Sequence, residues 1–428
     1  MYSVSRSFFS TTPLLVNRLP IGAARASLRT GPLKRRSSEL QFRKSADMEY
    51  KIGVAGPGAG SALFMMRMVQ KLTNPLLALS TKNQVSFSFV QVGDSANSYV
   101  SLPTDSFQSL TKSAIKYLGK QKGCNIIVLG NAASVFYDRS MKEWADKVLP
   151  GKNVVSLVRP TATHLYSKAQ FVSVGGTLEK RIGILGTPTT TASHQYPEAL
   201  AKFHAADLGS SGIDSITVVV NRDSRFPGPQ VYRGGNSLAR GSDDELRVLA
   251  AVANHDIATP VLFVHVYCHN DWNLLVENTE GMHVTGAVRK AGLHDNLAGF
   301  FKQSPLEEIR RMSVLGLACT EYPLLKSEII DILHEMQLPG IEVIGQAAAV
   351  AESSVLPIIT QDIALGRIDP REAPLSINQV RITMSSWTTA NDYDPGVNSF
   401  LRVQNLCNSF NPQMAKLIEF FKIPPFRL

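Results

Sequence analysis

The sequence predicts an α/β protein built from two similar lobes, each with a short parallel sheet between helices. Strand-like apolar runs alternate with helical patterns along most of the chain, which is typical of parallel sheets. A strand, a turn of small residues and a helix begin at Met48 and again at Arg181, and Val128-Leu129-Gly130 resembles Val314-Leu315-Gly316, as an internal duplication would leave. We therefore expect two Rossmann-like lobes with an active-site cleft between them, plus a C-terminal extension.

The length and the amino-acid composition exclude several classes of protein. With 428 residues, 44% of them apolar, the chain can form two domains with their own cores. No apolar run reaches membrane-spanning length, so we expect no membrane span. The cysteines form no C-x-x-C pair, which argues against a zinc site and a secreted disulfide framework and fits a reducing compartment. They are Cys124, Cys268, Cys319 and Cys407.

Most of the positive charge lies at the N-terminus. Residues 1–46 hold nine basic residues and one acid, Glu39, so this segment carries +8 of the net charge of +9. Its Arg residues are spaced among Ser, Thr, Leu and Ala, a composition typical of a mitochondrial transit peptide. A plastid signal and a disordered nucleic-acid-binding arm are the alternatives. The rest of the chain is nearly neutral, so we expect no nucleic-acid partner.

The pattern also predicts domain boundaries. We expect a disordered or cleaved leader, a first lobe that a later helix completes, a second lobe and an extension. In order these are residues 1–48, residues 49–180 completed by 345–371, residues 181–344, and residues 372–428. The extension combines a strand pattern at residues 379–383 with a predicted helix that ends at residues 417–421.

One stretch carries the main chemical signal. An apolar run from Val314 to Ala318 is followed by Cys319, Thr320 and Glu321, and then by residues at helical spacing. This pattern predicts a buried strand that leads into a helix, with the thiol at the junction. Helix N-termini favour negative charge, so a cysteine there is biased toward thiolate. A buried cysteine that only packs in the turn is the alternative.

Two further segments follow predicted strands. Gly130-Asn131-Ala132-Ala133-Ser134-Val135-Phe136-Tyr137-Asp138 follows the strand at residues 124–129, and Thr187-Pro188-Thr189-Thr190-Thr191-Ala192-Ser193-His194-Gln195-Tyr196 follows the strand at residues 181–186. The hydroxyls of Thr187 and Thr190, with the first N–H groups of a following helix, would suit a carboxylate. An ordinary helix N-cap is the alternative.

These segments resemble motifs of the cofactor-independent aspartate/glutamate racemase superfamily. Residues 318–325 are similar to its second-lobe "GCTE-aromatic-PLL" motif, residues 130–138 to its "CNTAH-x-FYD" motif, and residues 187–196 to "T-x-G-T-x-x-S-x-x-Y". The resemblance implies a two-lobed fold, no cofactor, and stereoinversion at the α-carbon of an acidic amino acid. It implies a catalytic Cys319 and substrate contacts from a set of polar residues: Asn131, Thr187, Thr190, Thr320 and Glu321.

The first-lobe motif is degraded. Gly130 stands where the family has its first catalytic cysteine, and Ser134 stands where it has a histidine. Ser95 replaces an arginine that binds a substrate carboxylate, and a histidine usual near Gly345 or Gln346 is absent. Cys124, at the opposite end of its strand, is interpreted as a core residue.

Three functions therefore remain open. The first is a racemase-like enzyme that acts through Cys319 on a small carboxylic or amino acid. The second is a single-cysteine enzyme similar to arylmalonate decarboxylase, in which Cys319 protonates an enolate and Gly130 replaces the first cysteine. The third is an inactive racemase-fold protein that binds a partner in mitochondria.

The remaining patterns add smaller predictions. Residues 221–241 are rich in Arg, Gly and Pro and predict a loop, which with the C-terminal extension offers a surface for a protein partner. Gly56-Pro57-Gly58-Ala59-Gly60 lacks the spacing of a phosphate-binding loop. His265 and Cys268 would lie on opposite faces of a strand, which argues against a metal site. Homo-oligomerisation is left open.

Overall fold

The structure is a computed structural model. It describes residues 50–56, 58–78, 85–91, 104–209, 215–221, 228–268, 286–302, 306–365, 380–387, 404, 407–408, 411–416 and 418–423. The predicted leader, Ser95 and residues 222–227 of the predicted loop lie outside this part of the chain. Every element below belongs to one compact unit, Asp47–Leu428. No helix in the described ranges is long and apolar enough to cross a membrane.

The first sheet has six strands, and all its pairings are parallel. Their order across the sheet is β14-β13-β2-β1-β3-β4. The strands are β1 (Tyr50–Gly56), β2 (Val85–Gln91), β3 (Ile126–Leu129), β4 (Asn153–Val155), β13 (Val380–Trp387) and β14 (Ile418–Ile423). The two C-terminal strands thus extend the sheet beyond β2. Strand β1 pairs with β2 on one side and with β3 on the other, so its carboxyl end lies between the ends of these two strands.

The second sheet has eight strands, in the order β12-β11-β6-β10-β7-β8-β9, with β5 paired to β6. The central pairings are parallel, and those of β5 and of the β7-β8-β9 edge are antiparallel. The strands are β5 (Phe171–Val174), β6 (Thr177–Gly186), β7 (Ile216–Asn221), β8 (Gln230–Arg233), β9 (Asn236–Ser237), β10 (Val261–Cys268), β11 (Val314–Ala318) and β12 (Glu342–Gly345).

The helices connect these strands. They are α1 (Gly58–Ala78), α2 (Thr104–Lys116), α3 (Asn131–Phe136), α4 (Lys142–Val148), α5 (Val158–Lys168), α6 (Pro188–Ala192), α7 (Gln195–Asp207), α8 (Asp243–Ala253), α9 (Gly286–Lys302), α10 (Leu306–Arg310), α11 (Lys326–Glu335), α12 (Gln346–Val350), α13 (Leu356–Ala364) and α14 (Pro412–Ala415). Wider π turns lie at Tyr117–Gln121, Tyr137–Met141 and Ala351–Val355, and a 3₁₀ turn at Tyr322–Leu325.

Both sheets are covered on two faces. Two central strands, β3 and β11, are apolar along their length, as expected for parallel sheets buried on both sides. One core packs α1 on the first sheet, and another packs α2 to α4 on the opposite face. In the second sheet, α9 to α11 cover one face, and α5 and α7 cover the other. This confirms the predicted α/β class with two largely parallel sheets.

The chain returns to the first sheet after β12. Ala347, Val350, Val355 and Ile359 lie in the same core as α1. At the far end of this segment, Tyr50 donates a hydrogen bond of 2.8 Å to the buried Asp362 carboxylate. The helical segment from α12 to α13 therefore starts at the end of the second sheet and packs on the first sheet.

Two local predictions were wrong. Residues 228–241, predicted as loop, include the hairpin β8–β9, with Gly234 and Gly235 at φ of +56° and +77° in its two-residue turn. A Gly-Gly turn of this length is a hairpin signal, because both positions need left-handed backbone. Residues 417–421 were predicted as the end of a helix, but residues 418–423 form β14, because pairing with β13 prevails over local preference.

Candidate functional site

The ends of β3 and β11 meet at the junction of the two lobes. Asn131, the first residue of α3, donates through Nδ2 to the backbone oxygen of Ala318, the last residue of β11, at 2.7 Å. Gly130 and Cys319 are the adjacent residues in the two chain segments. The structure therefore brings together the two positions that sequence analysis paired.

Asn131 is the centre of a buried hydrogen-bond network. Its Nδ2 also donates to Thr190 Oγ1 at 2.5 Å, and its Oδ1 accepts from Tyr196 Oη at 2.9 Å and from Gln346 Nε2 at 2.8 Å. An asparagine amide has two donor hydrogens and two acceptor lone pairs, and here all four are used. A ligand that contacts the amide must displace one of these partners.

Thr187 and Thr190 lie where β6 leads into α6. Thr187 is the N-cap residue, and its hydroxyl lies 3.0 Å from that of Thr190. Both side chains are buried. The two hydroxyls lie within hydrogen-bond distance of each other, and that of Thr190 also accepts a bond from Asn131. Both residues therefore belong to the junction. Their predicted role in carboxylate binding stays a prediction.

Cys319, Thr320 and Glu321 form the turn between β11 and the 3₁₀ turn Tyr322–Leu325. All three are buried, with Cys319 only 5% exposed and packed in the second-lobe core. The helical turns that follow run on into α11, so the thiol sits one short turn ahead of their N-terminal N–H groups. Burial in an apolar core opposes the charged form of a thiol, so the predicted bias of Cys319 toward thiolate stays a prediction.

The Glu321 side chain packs on the first lobe. A Cβ built on Gly60, in the first turn of α1, would lie 1.9 Å from Glu321 Cγ. Only a glycine allows this approach. The turn around Cys319 is thereby held against α1, in addition to the bond from Asn131.

Residues at the degraded motif positions have structural roles. Gly130 lies at the N-terminus of α3, and its N–H donates to Ala55 O at 2.6 Å. Ser134, at the position of the family histidine, accepts a bond of 2.8 Å from the backbone N–H of Leu157. Its hydroxyl is thus used to fix the start of α5.

The roles of Tyr196 and Gln346 in this network were not predicted from the sequence. Gln346 is fully buried and donates to both Asn131 and Tyr196, at 2.8 and 2.6 Å. Its Oε1 has no hydrogen-bond partner among the residues that the structure describes. The signal was present, since Tyr196 ends the third motif and Gln346 stands near the position of a missing histidine. The sequence could not show that these two side chains contact each other.

Burial changes the pKa of ionisable groups both at the junction and in the first-lobe core. Burial raises the pKa of Tyr196, and a charge on Cys319 would raise it further, which places these two groups within electrostatic range. Burial also raises the pKa of the Cys124 thiol to about 12, so this cysteine stays protonated and inert. Cys124 lies in the first-lobe core, as interpreted from the sequence.

The arrangement can support acid/base chemistry by one thiol. Cys319 sits at the lobe junction, and no cysteine opposes it at Gly130. Within the described ranges, no group of three or more His, Cys, Asp or Glu side chains is placed to hold a metal ion.

Comparison with known proteins shows similarity at the level of structure. No protein-family model matches the sequence, and no curated protein matches it. Glutamate racemase RacE1 of Bacillus anthracis is similar in structure, with 17% identity and a TM-score of 0.51, covering 87% of this chain and 97% of the racemase. Glutamate racemase of Thermus thermophilus has 17% identity and a TM-score of 0.45, covering 89% and 98%. Aspartate racemase of Picrophilus torridus has 15% identity and a TM-score of 0.36, covering 76% and 96%.

Fold and site together define a two-lobed α/β protein with a buried cysteine at the junction of its lobes. The likeness to RacE1 extends over nearly the whole of that enzyme. This chain therefore has the fold of the aspartate/glutamate racemases.

Proposed function

We propose that this protein uses Cys319 as a single acid/base group at the α-carbon of a small carboxylic or amino acid. The thiolate removes the α-proton, and the resulting thiol returns a proton to the same face. The reaction is proton exchange, because Gly130 supplies no group to protonate the other face. No cofactor is required.

The observation that supports this proposal is the hydrogen bond between Asn131 and Ala318 O. Asn131 follows Gly130 in the sequence and Ala318 precedes Cys319, so this bond supports a site at Cys319 between the two lobes. The buried Gln346 Oε1, which has no partner within the described residues, gives this junction an acceptor suited to an ammonium group. Polar groups at this position would stabilise the carbanion-like charge that develops on the substrate.

The first candidate substrate is glutamate, because the similar structure with a TM-score of 0.51 is named as a glutamate racemase. Aspartate is also a candidate, because the motifs of this sequence resemble those of the aspartate/glutamate racemases. The Gly130/Cys319 pair also fits a decarboxylase, in which an aryl-substituted malonic acid loses CO₂ and Cys319 protonates the enolate. Both reactions need one proton donor on one face.

The proposal is tested by solvent exchange. The protein is incubated in deuterated water with aspartate, glutamate or an arylmalonic acid, and deuterium at the α-carbon is followed by NMR. Cys319→Ala should remove the signal, since it deletes the one acid/base group. Cys124→Ala is the matched control and should retain it, because that thiol lies in the core. Exchange that survives Cys319→Ala would overturn the proposal.

One observation favours a second candidate, an inactive racemase-fold protein that serves a partner. The Asn131 amide has no hydrogen-bonding capacity left, and its partners tie the two lobes together. If these hydrogen bonds are permanent, the junction serves only to hold the two lobes together. Absence of exchange with every acid, combined with co-purification of a fixed protein partner, would establish this second function.

A further inference from the structure

A chain of polar groups lies at the end of the second sheet where β10 begins, opposite the strand end that leads to Cys319. His204 Nε2 lies 3.0 Å from the backbone oxygen of Pro260, and His204 Nδ1 lies 3.0 Å from Tyr166 Oη. Tyr166 Oη lies 2.9 Å from Asp207 Oδ2. His204 and Tyr166 are buried, and Asp207 is exposed. We call these three side chains the His204 chain.

The hydrogens of the His204 chain can be counted. A backbone oxygen only accepts, so His204 Nε2 carries a hydrogen and donates it to Pro260. In a neutral imidazole the second nitrogen, Nδ1, then has no hydrogen and is an acceptor. The Asp207 carboxylate is also an acceptor. Tyr166 has one hydroxyl hydrogen, so with a neutral His204 only one of its two contacts is a hydrogen bond.

One further proton completes the chain. With a proton on Nδ1, His204 donates to Tyr166 Oη, and the Tyr166 hydroxyl donates to Asp207. A proton on Asp207 would give the same count, but this carboxylate is exposed, and water stabilises its charge. The imidazole is therefore the group that takes up the proton, and the structure shows the arrangement of a charged His204.

The surroundings of His204 set the pH at which it is charged. Burial lowers the pKa of His204, the bond to Pro260 O raises it, the charge of Lys180 lowers it, and the charge of Asp207 raises it. Lys180 approaches from β6 and donates to the backbone oxygen of Tyr166 at 3.2 Å. Because the pKa of His204 is lowered overall, the imidazole is neutral at pH 7 and gains its second proton only in acid.

The His204 chain joins the far ends of two helices that both begin at the lobe junction. The residue before α5, Leu157, donates its N–H to Ser134 of the first lobe. The second residue of α7, Tyr196, donates to Asn131. His204 lies about 12 Å farther along α7, at a rise of about 1.5 Å per residue. A change of bonding in the His204 chain therefore acts on both helices.

We propose that the His204 chain is a proton-operated switch between α5 and α7. At neutral pH the Tyr166 hydroxyl donates to His204, and Asp207 is bonded by water. In acid, a proton from the solvent enters at His204 Nδ1, the bond between His204 and Tyr166 reverses, and Tyr166 donates to Asp207. The last turn of α7 is then tied to α5. The switch does not depend on the chemistry of Cys319.

NMR titration of the full chain, labelled with ¹⁵N in histidine and with ¹³C at the tyrosine Cζ, is the experiment. His204→Gln and Tyr166→Phe identify the two signals, which are followed from about pH 7.5 to about pH 4. We expect the neutral Nε2–H form of His204 at the start, and proton uptake at Nδ1 with a midpoint below about 6.5. The Tyr166 Cζ signal should shift with the same midpoint, because its hydroxyl changes acceptor.

Asp207→Asn should lower the pKa of His204, because it removes the charge that favours the imidazolium ion. Asp146→Asn is the matched control, since Asp146 is an exposed aspartate on α4 of the first lobe, and it should leave the titration of His204 unchanged.

The proposal is overturned if His204 keeps one protonation state over this range, or if the Tyr166 signal does not follow His204. It is also overturned if the two aspartate variants have the same effect. Exchange at Cys319 is measured separately, so its failure leaves the titration of His204 untouched.

Discussion

Asn131 links more parts of the molecule than any other side chain described at the site. Its amide joins α3, the end of β11, α6, α7 and α12 through four buried bonds. Each partner is itself shielded from water. Removing the amide therefore leaves several polar groups buried without partners, and each costs about 1–3 kcal/mol.

We expect Asn131→Ala to lower the free energy of unfolding by about 2–4 kcal/mol, allowing for rearrangement of the partners. Chemical denaturation measures the change. Ser140→Ala is the control, because the Ser140 hydroxyl is exposed and bonds only the backbone of its own helix. This control should stay within about 0.5 kcal/mol of the unmodified protein. A similarly small effect of Asn131→Ala would show that the network contributes little.

At the scale of single residues, the sequence predicted which side chains lie near one another but not which hydrogen bonds they form. Asn131, Thr190 and Cys319 were selected by motif, and the structure places them around one junction. The contact between Tyr196 and Gln346 could not be predicted, since it joins residues from distant parts of the chain. No local pattern reports such a contact.

At the scale of elements, α1 carries the close contact with Glu321. Gly60 sets the distance between this helix and the turn at Cys319. A methyl group at Gly60 would overlap Glu321 Cγ, and the side chain is confined by the lobe interface.

We predict that Gly60→Ala lowers the free energy of unfolding by about 1–3 kcal/mol, because overpacking outweighs the gain in helix propensity. Gly299→Ala in α9 is the matched control. A Cβ there meets no atom of the described residues within 4 Å, so this variant should be stabilised by about 0.5–1 kcal/mol. Thermal or chemical unfolding of both variants gives the comparison. Equal gains in stability would mean that Glu321 moves aside freely.

The elements also show where local patterns are insufficient. The core strands β3 and β11 and the second half of β6 are apolar runs, which made them predictable. β14 was wrongly predicted as helix because its strand state depends on pairing with β13. β13 in turn pairs with β2, whose residues lie almost 300 positions earlier in the chain, as in the contact of Ser88 with Thr383.

At the scale of the whole molecule, charge distinguishes the predicted leader from the rest of the chain. Residues 1–46 carry +8 of the net charge of +9. We propose that this leader directs import into mitochondria and is removed there. Mass spectrometry of the protein from its source should find a mature N-terminus near residue 47. Recovery of residues 2–36 in the mature protein would contradict this.

The central claim is the proposal that Cys319, the thiol at the lobe junction, exchanges a proton of the substrate without inverting its configuration. In the proposed reaction Cys319 acts on one face of the α-carbon, and Gly130 supplies no acid/base group to the other face. Proton removal and return on one face preserve the configuration.

The most direct test is the configuration of the exchanged product. Each enantiomer of aspartate and of glutamate is incubated with the protein in deuterated water, and the recovered acid is separated on a chiral column before its deuterium content is measured. We predict deuterium in one enantiomer of one acid, with its configuration retained. Deuterated product of the opposite configuration, formed as fast as exchange occurs, would contradict the claim.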